Sequence, residues 1–486
     1  MKYSGAFSII NPNDLDTIHF QNLTIIYYIC YSVNEIMVMR KHKLILFIII
    51  LFSLNTFSQT KQDLKKVFIN AEFSILYEEY REALPLFLEI YNSGRDDANI
   101  KQRIGLCYLN IPNQKNLALN FLEAAIKDVS TTYKPGFYNE KQAPIETYYY
   151  LGVAYRINNR LHDAIDAFNK YKQVLDPNDI ENFTLVEAQI KACNNALELT
   201  RTPTNIIESN LGKNINSEYY NSNPLVSEDE ETIVFSSELR FYDGVFLSKK
   251  RDNRWLPARN ISLEFASENP LKPVYLTRDG NTLYLQRNDN DILNLYISKY
   301  EERVWSPVQK LNSNINSSSS ENHACVSDDG KTLYFTSNRP GGFGGFDIYK
   351  SELGANGDWG PAVNLGSTIN TVFNEATPFI TEDGNTLYFS SEGHFNIGGY
   401  DIFTSKKNGN NWSTPENLGY PFNSTDNDLF FFPLKNGEIA YYSKYKSTGF
   451  GENDIYKIQI ISKENIEERE QEIKEGKFMN DTIDLE

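Results

Sequence analysis

The sequence predicts two folded parts, a stack of paired helices followed by a five-bladed β-propeller. Two periodicities predict it. Residues 60–202 repeat small and bulky residues at helical spacing, with a unit of 34 residues between Ala71 and Gly105. Residues 204–461 carry four tryptophans spaced 50, 54 and 53 residues apart, each followed within three residues by a proline. The length of 486 residues also exceeds that of one ordinary domain.

The composition is that of an acidic globular protein. Hydrophobic residues make up 41% of the chain and charged residues 23%, and the net charge is -17. A field of this sign repels phosphate backbones, so nucleic acid is not expected as a partner. The four cysteines lie far apart without a CxxC pair, so neither a zinc site nor a disulfide framework is expected. No cofactor is predicted.

Residues 39–58 have the layout of a signal peptide. Three basic residues precede the unbroken apolar run 44–52, and small or polar residues follow it. The run is shorter than the roughly 20 residues that span a bilayer, so a permanent anchor is the less favoured interpretation. Residues 1–38 are interpreted as an extension from a start codon assigned too early. The exported chain is expected in the periplasm, associated with the outer membrane.

The clearest helical unit is 148–177, and residues 181–200 continue as one further amphipathic helix that caps the stack. Small residues such as Gly152 alternate with bulky ones, because two helices approach closely only where a small side chain meets a large one. The region resembles tetratricopeptide repeats, whose concave groove usually holds a peptide or a partner helix. Tyr149 and Arg156 are expected to face away from the packing positions, which makes them candidates for this groove. Solvated helix faces without a ligand are the alternative.

Each unit of the second half is interpreted as a four-stranded antiparallel sheet. Asp-Gly turns precede strands such as TLYF, and the glycine takes positive φ at little cost. Radial repetition of such sheets makes a propeller. The fifth unit lacks its Trp-Pro strand, so the segment 204–211 is expected to complete the last blade and close the ring. The repeated positions given a structural role are Trp255, Trp305, Trp359, Trp412, Asp347, Asp401 and Asp454.

Two strings, NLGSTINTVFNEATPFITEDGNTLYFSSEGHFNIGGYDIF and TSNRPGGFGGFDIYKS, resemble the WD40-like propeller repeats of Bacteroidetes envelope proteins. The order of the parts over residues 60–461 is similar to the N-terminal half of PorE-like, OmpA-family proteins. The resemblance implies a scaffold with protein partners in the cell envelope, in a type IX secretion or gliding assembly. In full-length relatives a peptidoglycan-binding OmpA domain follows. The charged tail 462–486 is no such domain, so direct attachment to peptidoglycan is not expected.

One face of the predicted disc carries two sets of polar residues. Acidic or amide residues precede the first strands around the central channel, and one basic residue per blade follows each second strand. These candidate binding residues are Asn221, Glu268, Glu321, Glu375, Asp428, Arg240, Arg287, Arg339, His394 and Lys446. The functional interpretation is a face that docks a peptide or a glycan. The alternative is that the two sets pair with each other across adjacent blades as exposed ion pairs.

The competing interpretation is a glycan-binding propeller or a sialidase-like glycoside hydrolase. VSDDGKTLYF resembles an Asp-box, but Asp329 and Gly330 are adjacent where that motif separates them. A glycosidase needs two opposed carboxylates or a tyrosine nucleophile in a shaped pocket, and the sequence singles out no such group. No Ser-His-Asp or HExxH constellation surrounds the histidines. A non-enzymatic scaffold without catalytic or metal-binding residues is therefore preferred.

Overall fold

The computed structural model describes residues 63–460 apart from residues 241 and 410. The interpretations of 1–38, 39–58 and 462–486 concern segments outside the described residues. Within the described range, none of the helices combines the length and the apolar content that crossing a bilayer requires.

Seven α-helices precede the propeller in the described part of the chain. They are α1 at 63–76, α2 Tyr80–Asn92, α3 Ala98–Leu109, α4 Ala118–Ala125, α5 Thr147–Ile157, α6 Leu161–Val174 and α7 Ile180–Leu199. Two short parallel strands, β1 Val129–Ser130 and β2 Ala143–Pro144, close the insertion between α4 and α5. Helices α3 and α7 each begin at an aspartate whose carboxylate accepts a backbone N–H of the first turn, which satisfies an otherwise unpaired donor.

Small residues set the distance between paired helices, as the sequence predicts. A Cβ atom on Gly152 of α5 would lie 2.5 Å from the Phe168 ring of α6. A Cβ atom on Gly105 of α3 would lie 2.6 Å from the side chain of Leu122 on α4. Both large partners are fully buried, so each glycine marks a point where two helix backbones meet closely.

Five antiparallel sheets follow and form the five blades that the sequence predicts. Blade 1 contains β4 Tyr220–Val226, β5 Thr232–Glu238, β6 Asp243–Arg251, β7 Arg254–Trp255 and β8 Arg259–Asn260, and blade 2 contains β9 Leu271–Leu276, β10 Thr282–Asp289, β11 Ile292–Glu301, β12 Val304–Trp305 and β13 Gln309–Lys310. Blade 3 contains β14 Glu321–Val326, β15 Thr332–Ser337, β16 Asp347–Glu352 and β17 Val363–Asn364, and blade 4 contains β18 Glu375–Ile380, β19 Thr386–Ser391, β20 Asp401–Asn408, β21 Asn411–Trp412 and β22 Glu416–Asn417. Blade 5 contains β23 Phe432–Leu434, β24 Ile439–Lys444, β25 Asp454–Ile460 and, from the segment before blade 1, β3 Ile206–Asn210.

The ring is closed by the predicted segment. Strand β3 pairs antiparallel with β25, from Ile206 opposite Ile460 to Asn210 opposite Tyr456. Asn210 Nδ2 donates to Asp454 Oδ2 at 2.7 Å. The outer strands of blades 3 and 4 repeat this bond, from Asn364 to Asp347 and from Asn417 to Asp401, each at 2.7 Å. The segment that precedes the first blade therefore serves as the fourth strand of the last.

The three aspartates of this motif also fix a turn, as predicted. Asp347 accepts the backbone N–H of Phe343 at 2.7 Å. The equivalent bonds are Ile397 to Asp401 at 2.6 Å and Phe450 to Asp454 at 2.8 Å. All three carboxyl-bearing residues are almost completely buried. Each one ties the loop before the third strand to the outer strand of its blade.

The tryptophan segments differ from the prediction of one continuous outer strand. In blades 1, 2 and 4 the tryptophan ends a two-residue strand, and a second two-residue strand pairs further along the third strand. The intervening prolines, such as Pro257 and Pro307, have no N–H to donate to the sheet, which interrupts the ladder. Trp255, Trp305 and Trp359 are buried in the propeller core.

Candidate functional site

The helical part lies on the propeller face from which the first strands start. Loop 392–400, between β19 and β20 of blade 4, makes one contact. Ile397 at its tip has no exposed surface and belongs to the hydrophobic cluster of α6 and α7. Beside it, Asn195 Nδ2 of α7 donates to the carbonyl oxygen of Asn396 at 2.8 Å. The tip of this blade 4 loop therefore packs against α6 and α7.

Blade 5 makes the second contact, through the loop that leads into it. Arg156 of α5 is 4% exposed, and its Nη1 donates to the Thr425 carbonyl oxygen at 2.5 Å. Lys115 Nζ, in the turn between α3 and α4, lies 2.7 Å from the Asp426 carboxylate. A further ion pair joins Arg81 of α2 to Glu452. Four helices, or the turns beside them, thus hold the propeller at separate points.

A cleft of about 800 Å³ remains between the two parts. Its helical wall comes from α3, α5, α7 and the turn before α4, and its propeller wall comes mainly from blade 5. Its volume falls within the roughly 300–1,000 Å³ typical of ligand clefts. The polar residues that line it include Asn110, Asn113, Lys115, Asn116, Arg156, Asn158, Gln189, Glu392, Asp426, Asn427, Asp428, Lys444 and Asn453.

The ionisable groups of the cleft balance one another in formal charge, with Lys115, Arg156 and Lys444 facing Glu392, Asp426 and Asp428. Burial raises the pKa of Asp428 to about 6, against the lowering effect of nearby Lys444 and of hydrogen bonds from the preceding loop. Burial also raises the pKa of Glu392. A ligand selected by net charge alone would gain little here.

Both predicted groove residues line this cleft, although neither is free in the way expected. The Tyr149 ring lies 5.7 Å from Phe168 and 5.8 Å from Tyr171, so this residue also packs within the helical core. The Arg156 side chain donates to the Thr425 carbonyl oxygen of the propeller. The expectation that both face away from packing is wrong, because Tyr149 packs against rings of α6 and the guanidinium of Arg156 binds the propeller.

The predicted acidic and amide ring is mostly buried and is held by its own loops. Glu321 and Glu375 have no exposed surface, and Asn221 and Asp428 are 1% and 8% exposed. Each accepts a hydrogen bond from the serine or threonine four residues earlier, which fixes the loop leading into the first strand: Ser217 to Asn221, Ser317 to Glu321, Thr371 to Glu375 and Ser424 to Asp428. Glu268 is exposed and precedes β9. Of the five, only Asp428 lines the cleft.

Blade 3 pairs the two predicted sets within one blade rather than across adjacent blades. Arg339 Nη2 lies 3.1 Å from Glu321 Oε1 and 2.6 Å from the Ile315 carbonyl oxygen. In blade 4, His394 Nε2 contacts the equivalent carbonyl, of Ile369, at 2.9 Å. No cation of the described residues pairs with Glu375, and burial raises the pKa of Glu375 to about 7 despite hydrogen bonds from its own blade. The two blades therefore present equivalent carboxyl groups in different electrostatic surroundings.

The remaining basic residues of the predicted outer set lie at separate places. Arg287 pairs with Asp289 at 2.6 Å, and Lys446 pairs with Glu208 of the closing strand. Arg240 is exposed in the loop after β5. The structure does not gather the ten predicted face residues into one accessible site.

The central channel is filled by aromatic rings. Phe379 lies 6.2 Å from Tyr275 and 4.9 Å from Phe432, centroid to centroid. The cavity that remains measures about 30 Å³, roughly the space of one water molecule. Burial lowers the pKa of His323, beside the channel, to about 4. An apolar plug therefore occupies the axis of the disc.

Apart from Arg156, sequence reasoning missed the residues that join the two parts, which are Arg81, Lys115, Asn195, Asn396, Ile397, Thr425, Asp426 and Glu452. One available signal was a departure from the blade repeat, since Asn396 and Ile397 occupy the places of Gly342 and Phe343 in blade 3. Sequence reasoning also missed a repeated asparagine. Its Oδ1 accepts an N–H of the third strand and its Nδ2 donates to the outer strand or the residue after it, at Asn216, Asn316, Asn370 and Asn423. Its signal is the dipeptide Ile-Asn or Phe-Asn, repeated about once per blade.

No group of histidine, cysteine and carboxylate side chains in the described part of the chain is arranged to hold a metal ion. No protein-family model matches the chain, and no curated protein is similar to it.

The propeller is similar in fold to several solved structures. TolB from Acinetobacter baumannii is 16% identical, with a TM-score of 0.34, over 51% of this chain and 56% of that chain, so the match spans little more than half of TolB. The catalytic domain of an α-L-arabinofuranosidase from Coprinopsis cinerea is 10% identical, with a TM-score of 0.36, over 53% of this chain and 98% of its own. A gluconolactonase from Xanthomonas campestris is 10% identical, with a TM-score of 0.30, over 53% and 90%. At these scores none of the three supports an inference about activity.

Proposed function

We propose that this chain is a non-enzymatic scaffold of the outer cell envelope that holds protein segments in the periplasm. The observation that carries the proposal is the cleft of about 800 Å³ enclosed jointly by the helices and the propeller. Its walls are fixed to each other by Arg156, Lys115 and Asn195. Because the cleft keeps its shape, less conformational entropy is lost when it binds a segment of another protein.

The proposal takes the helical part to be a tetratricopeptide stack. The close approaches at Gly105 and Gly152 and the final helix α7 support this assignment. Such a stack presents its concave side to ligands. Here the propeller closes the open side of that groove, so the ligand would contact both parts at once.

We also propose that the protein does not catalyse hydrolysis. The buried carboxylates Glu321, Glu375 and Asp428 recur at one position of the blade and are bound by their own loops, which is the pattern of a structural role. The aromatic rings packed along the propeller axis, around a cavity of about 30 Å³, also support a structural role for the channel. A glycan-binding or glycoside hydrolase function remains the alternative that the experiment must exclude.

We infer the location of this scaffold from two features of the sequence. The signal-peptide layout of residues 39–58 supports export, and the resemblance to PorE-like, OmpA-family proteins supports a role in a type IX secretion or gliding assembly. Both belong to the proposal. Cell fractionation followed by immunodetection of the processed chain tests the location separately from the binding function.

Site-specific photo-cross-linking tests the scaffold. A photoreactive amino acid replaces Asn116, which lines the cleft and is exposed, and in a matched control it replaces Asp329, in an exposed turn on the opposite propeller face. We expect envelope proteins to be captured from position 116 and not from position 329. Equal capture at both positions, no capture at either, or turnover of a glycan panel by the purified protein would overturn the proposal.

A further inference from the structure

The cleft is rich in side-chain amides on both walls. The helical wall presents Asn110, Asn113, Asn116 and Asn158, and the propeller wall presents Asn427 and Asn453. An asparagine side chain offers one carbonyl acceptor and two N–H donors. A polypeptide main chain offers one donor and one acceptor for nearly every residue, so its groups match those of an amide lining.

Part of this hydrogen-bonding capacity is used within the protein: Asn110 and Asn158 donate to carbonyl oxygens of their own helices, and Asn427 accepts the N–H of Tyr400. Other polar atoms of the cleft are unused. Among the described residues, the side chain of Asn116 has no hydrogen bond, and Asn113 Oδ1 and Gln189 Oε1 are buried without a partner. Arg156, 96% buried, leaves its Nε unpartnered although Nη1 is bound. An unpaired buried polar group costs about 1–3 kcal/mol, so a rotation of the Asn113 or Gln189 amide toward a ligand that supplies a partner is favourable.

The charged and aromatic groups of the cleft are mostly engaged. Lys115 is paired with Asp426, and the Asp428 carboxylate accepts the N–H and the hydroxyl of Ser424. The Tyr149 ring is packed against neighbouring rings on its own helices. The groups left for a ligand are the free amide atoms together with Lys444 and the ring of Tyr445, which is 42% exposed. The amides outnumber these two groups, so the lining favours a polypeptide main chain.

We propose that the cleft binds an extended, uncharged polypeptide segment through its main chain, with Asn113, Asn116 and Gln189 on one wall and Asn427 and Asn453 on the other. This inference rests on the proposed scaffold function and adds its ligand class. Since recognition acts on the backbone, the order of side chains in the segment matters little. The partner is consequently defined by being extended and accessible rather than by a particular sequence.

Fluorescence anisotropy with the full chain tests this inference. The probes are a short labelled peptide of serine, threonine, alanine and valine, a scrambled version of it, and a version N-methylated at alternate residues. We expect the first two to bind with affinities within about threefold, and N-methylation to weaken binding about tenfold or more because it removes main-chain donors. Order-dependent binding, equal binding of the N-methylated peptide, or no binding of any probe would overturn the inference.

Matched variants locate the interaction. Asn113→Leu and Asn116→Leu remove amides from the cleft, whereas Asn120→Leu removes an exposed amide of α4 outside it. We expect binding of the unmethylated peptide to weaken about tenfold in the first two and to stay unchanged in the third. Circular dichroism confirms that each variant is folded. Equal loss in Asn120→Leu, or no loss in both cleft variants, contradicts the assignment.

The test separates this inference from the function on which it rests. Capture of an envelope protein from position 116 without binding of the neutral peptides leaves the scaffold standing and refutes main-chain recognition. Binding of a neutral oligosaccharide in competition with the peptides identifies a glycan site instead. Failure of both the peptide and the cross-linking experiments refutes the scaffold itself.

Discussion

Replacing Arg156 by methionine should loosen the helical part from the propeller. Methionine retains an unbranched stem that fills most of the same space but donates no hydrogen bond. The substitution removes the 2.5 Å bond from Nη1 and leaves the Thr425 carbonyl oxygen without that partner. Hydrogen bonds to charged groups contribute about 1.5–3 kcal/mol, so we expect a loss of about 2 kcal/mol.

The distribution of reporters allows this loss to be measured in each part separately. All four tryptophans lie in the propeller, and all described α-helices precede it. Tryptophan fluorescence therefore follows unfolding of the propeller, while far-ultraviolet circular dichroism follows the helices. With a urea dependence of about 2 kcal/mol per molar, a loss of 2 kcal/mol lowers the helical midpoint by about 1 M. We expect a smaller shift in the fluorescence midpoint.

Arg160→Met is the matched control. Arg160 lies four residues further on, and its partners Glu123 and Asp163 both belong to the helical part. Exposed pairs of this kind contribute little, so its midpoints should move by no more than about 0.3 M. Equal effects of the two substitutions, or a fluorescence midpoint that falls as far as the helical one in Arg156→Met, would refute the role assigned to this contact.

Two further predictions concern packing and pH. Gly152→Ala should lower the stability of the helical part by about 1 kcal/mol, because overpacking against Phe168 costs about 1–3 kcal/mol and the better helix propensity of alanine restores about 1 kcal/mol. Urea unfolding should show that the double variant Gly152→Ala/Phe168→Leu recovers this loss. An unchanged midpoint in the single variant would contradict the close approach of the two helices. Glu375 has its pKa raised from 4.5 to about 7, so its contribution to stability is complete below pH 4.5 and is lost as the pH rises through about 7. Glu375→Gln should therefore be more stable than the parent at pH 8, with a smaller gain at pH 5. Glu321→Gln should be less stable than the parent at pH 8, because the substitution removes the carboxylate that pairs with Arg339. A gain in stability in both variants would contradict the difference between the two blades.

The propeller could be predicted in detail because its determinants repeat. Blade length, turn and strand each recur, so an error in one unit is corrected by the others. The closing strand was predictable for the same reason: Asn210 stands where Asn364 and Asn417 stand in complete blades, and it makes the same bond to an aspartate. The break in the outer strand was not foreseen, although the prolines that cause it were visible in the sequence.

The candidate site was less predictable, because it depends on how two surfaces far apart in sequence meet. Residue types placed Glu321 and Glu375 correctly at the starts of first strands but gave no measure of their burial. Tyr149 and Arg156 were assigned to an open groove because the helical periodicity alone does not show what packs against these two residues. Only the docked structure shows that the groove and the propeller face form one cleft.

The position of the docking contact follows from how one blade departs from the repeat. Phe343, Ile397 and Phe450 occupy equivalent places, each with its backbone N–H held by the aspartate four residues later. The two phenylalanines are 48% and 51% exposed, whereas Ile397 is completely buried between α6 and α7. The repeat thus presents an apolar side chain on the same rim in three blades, and the chain uses one of them to seat its own helices. With that seat at blade 4, residues of α3 and α5 face blade 5 across the cleft.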